Sequence, residues 1–150
     1  MATANRGARL ALHVATYNAR LVADMDAPRA ARRCRCQQMR VAFAQNKIHL
    51  VGLQETVLKQ GTCNADGYWM VSTGAQGKKC GVTLAMNAVE PYATTAGRDL
   101  CFQPKHVYVL HMGHRVLIAR IRAPLLDAYV YVLHAPCRGA DGVVEVPVDQ

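Results

Sequence analysis

Glu55 stands at the end of the apolar run Ile48-His49-Leu50-Val51-Gly52-Leu53, directly after Gln54. A carboxylate that closes a buried β-type segment is held rigidly at a strand end, where α/β sheets place ligand and metal chemistry. An earlier apolar segment, Leu10 to Tyr17, ends in Asn18, followed by Ala19 and Arg20. One strand end supplies a carboxylate and the other an amide, a pair suited to one divalent cation and the phosphate bound to it. Taken singly, each also fits a plainer role: Glu55 as a solvated loop-entry acid, Asn18 as an ordinary turn residue.

The elements that must position these residues follow from periodicity. The pattern predicts a strand over Leu10 to Tyr17, a helix near Ala30 to Gln45 and a strand over Ile48 to Gln54. Short β-like runs follow at Tyr68 to Thr73 and Gly81 to Asn87, joined by the Gly74-Ala75-Gln76-Gly77 turn and the Lys78-Lys79 pair. Val107 to Met112 and Arg115 to Ile121 flank Gly113-His114, a hairpin signal, and Ala128 to Leu133 closes the set. One helix followed by consecutive hairpin-like strands predicts an α+β fold with a mixed, largely antiparallel sheet. At 150 residues and 51% hydrophobic, the chain has the length of one domain and enough apolar side chains for a core.

The net charge of +8 is local: residues 1–60 hold ten Lys and Arg against three Asp and Glu, a net +7, which leaves +1 for the rest. Arg29, Arg32, Arg33, Arg35 and Arg40 crowd a segment that Asp26 and Pro28 could start as a helix. Cys36, Met39 and Phe43, with Ala42 beside them, would form its buried stripe and leave most arginines outward. Such a face is either simply solvated or a contact for a polyphosphate, sequence-indifferent and salt-sensitive.

Two segments, Thr16-Tyr17-Asn18-Ala19-Arg20 and Gly52-Leu53-Gln54-Glu55-Thr56, together resemble the opening of the endonuclease/exonuclease/phosphatase family. Within it they are most similar to the apurinic-type endonucleases carried by non-LTR retrotransposons. Gly81-Val82-Thr83-Leu84-Ala85 resembles the glycine-led strand between the family's second and third motifs. Val132-Leu133-His134-Ala135-Pro136 resembles its strand that ends in His or Tyr before Ala-Pro. The matches run in family order over residues 10–136. The resemblance implies half of a four-layered α/β sandwich and a Mg²⁺- or Mn²⁺-dependent phosphodiesterase acting on nucleic acid, DNA rather than RNA. Glu55 would hold the metal, weakly since it stands alone; Asn18 would orient that carboxylate or donate to a phosphate oxygen; His134 would contact the phosphate or act as general acid.

The family continues with a strand ending in Gly-Asp-x-Asn and a late Ser-Asp-His, and neither motif occurs after Pro136. Residues 137–150 run Cys137-Arg138-Gly139-Ala140-Asp141-Gly142 and then Val143 to Gln150, with Pro147 and no helical periodicity, an unrelated tail. The expectation is therefore a fragment without the groups that align and deprotonate water, inactive as it stands. Two other readings stay open: a non-catalytic basic module that binds nucleic acid through the Arg29 to Arg40 face, and a phosphatase or deadenylase relative.

Half a sheet leaves an unpaired edge, which invites self-association. The six cysteines show no metal-ligand spacing and read as reduced thiols. No apolar run reaches spanning length and no secretory signal is evident, which points to a soluble intracellular chain, nuclear or cytoplasmic, without a membrane partner. His49, His106, His111 and His114 carry no motif, and nothing in the pattern singles out Tyr92, Lys78 or Lys79.

Overall fold

The structure, a computed structural model, describes residues 7–19, 29–65, 67–76 and 80–135; within 29–36 it describes the helical backbone alone. In chain order the elements are β1 (Arg9–Leu10), β2 (Val14–Asn18), α1 (Arg29–Gln45), β3 (Leu50–Thr56), β4 (Gly61–Ala65), β5 (Tyr68–Ser72) and β6 (Gly81–Asn87). They continue with β7 (Ala93–Thr95), β8 (Arg98–Leu100), a 3₁₀ turn (Pro104–His106), β9 (Val107–Gly113), β10 (Val116–Ala123) and β11 (Leu126–Leu133). The chain is α+β: a five-stranded mixed sheet in the order β2-β3-β6-β5-β4, two antiparallel three-stranded sheets, β11-β10-β9 and β1-β7-β8, and one helix. Pro136 and the tail lie outside the described residues, as do Asp26 and Pro28.

The segment expected as one strand from Leu10 to Tyr17 is two. β1 pairs with β7, and β2 runs parallel to β3, with Val14 opposite Leu50 and Asn18 opposite Gln54. His13 sits at the break because its carbonyl accepts from the main-chain N–H groups of both His49 and Leu50, at 2.9 and 3.2 Å. Its own N–H donates to His49 Nδ1 at 3.0 Å, and the opposite ring nitrogen of the buried His49 lies 3.1 Å from the Pro91 carbonyl. Because Nδ1 accepts, Nε2 carries the hydrogen, and the neutral ring ties the β1–β2 junction to the start of β3 and to the segment before β7.

Alternation along β3 divides the core in two. Val51 and Leu53 point toward α1, with Tyr68, Met70 and Ala85 from the neighbouring strands and the half-buried Met39 and Phe43 of the helix. Of the stripe expected on α1, Met39 and Phe43 pack as read, whereas Ala42 is exposed and Arg40 is half-buried; the other four arginines and Cys36 have no described side chains. Leu50, with Val82, Leu84 and Met86 of β6, points to the other side, where Leu117, Ala119, Ile121 and Val132 of the β9–β11 sheet cover them. Burying each such aliphatic side chain stabilises the fold by about 1.5–3 kcal/mol. Tyr92 stacks on Phe102 at 4.3 Å between ring centroids inside this second core, which removes it from any role beside a substrate.

The result is a helix, sheet, sheet stack. Among the described residues no helix is long and apolar enough to cross a membrane. Cys63, Cys80 and Cys101 are free thiols.

Candidate functional site

β2 and β3 run parallel, so Asn18 and Glu55 leave the sheet at the same end. β11 lies over β3, where Gly52 allows close approach: a Cβ at that position would stand 3.4 Å from Val132 Cγ1. That contact sets how β11 crosses β3, and His134 follows one residue after the strand. The His134 main chain continues the β10–β11 ladder through its N–H to the Arg115 carbonyl at 2.9 Å. Three segments distant in sequence thus deliver an amide, a carboxylate and an imidazole to one place.

They meet on a single atom. Asn18 Nδ2 donates to Glu55 Oε1 at 3.1 Å, and His134 Nε2 lies 3.2 Å from the same oxygen. The Glu55 and His134 side chains retain 13% and 22% of their exposure, so the cluster is sheltered yet reachable from solvent. Beside it Gln54 Nε2 donates to Thr16 Oγ1 at 2.7 Å, which ties β3 to β2 next to the site. Ala19 N–H donates to the Gln54 carbonyl at 2.8 Å, carrying the parallel pairing beyond Asn18. Behind the carboxylate the buried hydroxyls of Thr56 and Thr83 lie 3.0 Å apart.

The backbone of Glu55 is unusual. Its φ is +56°, and the β3–β6 register shifts here: Leu53 pairs with Thr83 but Thr56 pairs with Gly81, so Gln54 and Glu55 together oppose Val82. This is a β-bulge, which adds one residue, bends the strand and re-aims a side chain. A non-glycine residue in the left-handed region costs about 1–2 kcal/mol. Such strain persists where the surroundings over-determine it, commonly at functional positions. Without the bulge, strict alternation would put Glu55 on the α1 side with Leu53. The bulge turns it toward Asn18 and His134.

The donor set fits a hydrated hard cation: one carboxylate supplies the oxygen such ions prefer, and Mg²⁺ keeps most of its waters when so few protein ligands are present. Among the described residues no group of three or more His, Cys, Asp or Glu could hold a metal ion, so a closed cage is not formed by them. Without a cation, the carboxylate fixes the imidazole through Nε2, an arrangement that orients a histidine and sets its tautomer. The arginines of α1 other than Arg40 have no described side chains, so their relation to this cluster is not part of the geometry.

Sequence reading missed the contributions of Gly52 and Thr16 to the site. A glycine inside an otherwise branched apolar strand was a signal for close backbone approach. Thr16 carried none. Comparison of the chain with family models, with curated proteins and with solved structures returns no match, so what can be said of the site rests on its geometry.

Proposed function

We propose that the chain is part of a Mg²⁺-dependent phosphodiesterase, an endonuclease-type hydrolase of retroelement kind, and that these 150 residues carry one side of its catalytic site. The observation that supports this most is the convergence of Asn18, Glu55 and His134 on one oxygen at the mouth of the sheet. In this reading Glu55 holds the cation, which polarises the scissile phosphate and steadies the leaving oxygen. Asn18, an uncharged donor, keeps the carboxylate in place, and His134 contacts the phosphate or delivers a proton to the leaving group. Hydrolysis further requires groups that align water and accept its proton, and a single carboxylate does not replace them.

The crowding of arginines between Arg29 and Arg40 supports a second reading, a basic module that binds nucleic acid without cutting it. One experiment separates the two. Binding of duplex DNA is measured across a salt series, and cleavage of plasmid and abasic DNA is measured in Mg²⁺, for the chain, for Glu55→Ala and for Arg32→Ala with Arg35→Ala. The phosphodiesterase reading predicts no cleavage by the chain above the Glu55→Ala control. It also predicts Glu55-dependent cleavage once a segment bearing Gly-Asp-x-Asn and Ser-Asp-His is joined to it, since groups that act as a unit fail together. Loss of affinity in the arginine variant, with a salt slope flatter by up to about 0.9 per phosphate contact and no cleavage from the extended chain, supports the module instead.

A further inference from the structure

Four strands bound the two larger sheets: β2, β4, β9 and β11. Exposed edges invite strand addition unless something blunts them. β4 is polar and small, Gly61-Thr62-Cys63-Asn64-Ala65. β9 is interrupted by a bulge: Ile118 pairs with His111 and Ala119 with Val109, which leaves Leu110 unopposed. β2 has five residues. β11 differs from all three, with eight residues in unbroken register with β10, no Pro or Gly, and Asp127 as its one charge.

The ladder fixes which groups face outward. His134 N–H donates to the Arg115 carbonyl, so the even-numbered residues of β11 form the hydrogen-bonded pairs with β10. Asp127, Tyr129, Tyr131 and Leu133 therefore turn their N–H and C=O to the other edge, where no described strand lies. Tyr129, Tyr131 and Leu133 are 56%, 61% and 54% exposed. The gap beside β11 has a floor. β11 lies over β3 and β10 over β6, so a strand added to β11 would run above β2. Val14 of β2, on the face shared with Leu50, is 63% exposed there.

We propose that a second copy of this chain fills this gap, its β11 pairing antiparallel with the first about a two-fold axis to join two three-stranded sheets into one of six. The strand is self-complementary. With the axis through Val130, Tyr129 of each copy faces Tyr131 of the other, giving two cross-strand aromatic pairs. Outward N–H and C=O groups fall opposite one another in the same register. An edge of this kind calls for a strand rather than a nucleic acid, which has no matching ladder, and Arg120 of the outer face is already held by both oxygens of Asp127, at 2.8 and 2.6 Å. Tyr129 and Tyr131 expose on the order of 250 Å² together. With Leu133, Val14 and the strand edge the dimer would bury about 1,000 Å² in total, at the low end of specific interfaces, which suits micromolar association.

The test combines sedimentation velocity of the full chain from ~1 to 300 µM with residue-resolved amide hydrogen exchange. The expected results are a monomer–dimer equilibrium and slowed exchange at Tyr129 and Tyr131 that grows with concentration. Tyr129→Lys with Tyr131→Lys, both at exposed positions, should be monomeric throughout with an unchanged circular dichroism spectrum. Tyr108→Lys, on the same face but away from the edge, should still dimerise. A monomer at 300 µM overturns the proposal. So does concentration-independent protection of the two amides, which would mean that a segment of the same chain fills the gap. A dimer insensitive to the paired lysines, or assembly beyond two copies, places the contact elsewhere and overturns it as well.

Discussion

Glu55 is held at φ +56° on a bulge, and the backbone there should be strained independently of what its side chain does. Replacing Glu55 by Ala removes the carboxylate but keeps a Cβ in the left-handed region; replacing it by Gly removes both. The two variants lose the same contacts to Asn18 Nδ2 and His134 Nε2, so their difference isolates the backbone. An L-residue in this region costs about 1–2 kcal/mol, and glycine's larger unfolded-state freedom offsets about 0.5–1 of it. Glu55→Gly should therefore be more stable than Glu55→Ala by about 1 kcal/mol, or 2–4 °C in Tm for a chain of this size. Urea unfolding with matched m-values reads the difference directly. Equal stabilities, or a more stable Ala variant, would refute the argument that the bulge stores strain to aim this side chain.

Three further outcomes follow from the packing. His49 is buried with Nδ1 accepting from the main chain, and burial pushes its pKa below the usual 6.5, with His13 and Lys47 acting in the same direction and the Pro91 carbonyl and Glu90 opposing. Its contribution to stability is therefore full above about pH 6.5 and is lost as the pH falls through the lower folded value, because the unfolded chain binds the proton first. Denaturant midpoints between pH 7.5 and 5 should fall for the parent chain and fall less for His49→Gln. Gly52→Val would drive methyl groups into Val132, whose Cγ1 already stands 3.4 Å from an added Cβ; overpacking should cost about 1–3 kcal/mol and shift the His134 ring resonances, while Gly52→Ala costs less. Asn18→Ala and His134→Ala should be coupled through Glu55: in a double-mutant cycle by urea unfolding their effects should depart from additivity by about 0.5 kcal/mol or more, and strict additivity would deny a shared acceptor.

Much of this arrangement was legible before any coordinates, for physical reasons that differ by element. The strand over Gly81 to Asn87 and the hairpin around Gly113-His114 carry their own signals, continuous apolar character and a turn dipeptide, and both form where expected. The ends of β2 and β3 were readable because a polar residue closing an apolar run has few places to go. β4, β7 and β8 were not readable: they are short, and their pairing is set by neighbours rather than by alternation of their own. The break at His13 escaped because its cause lies at His49, 36 residues away. Likewise the left-handed backbone of Glu55 depends on how β3 pairs with β6, which no local pattern encodes.

The central claim is that Glu55, braced by Asn18 and faced by His134, is the cation-holding residue of a phosphodiesterase-type site. The most direct test is paramagnetic broadening of the ¹⁵N-labelled chain by substoichiometric Mn²⁺, competed with Mg²⁺. The account predicts broadening centred on the Asn18 side-chain amide, the Glu55 and Thr56 backbone and the His134 ring, reversed by excess Mg²⁺ and absent in Glu55→Ala with its fold intact. Broadening centred elsewhere, or the same pattern persisting in Glu55→Ala, would contradict it.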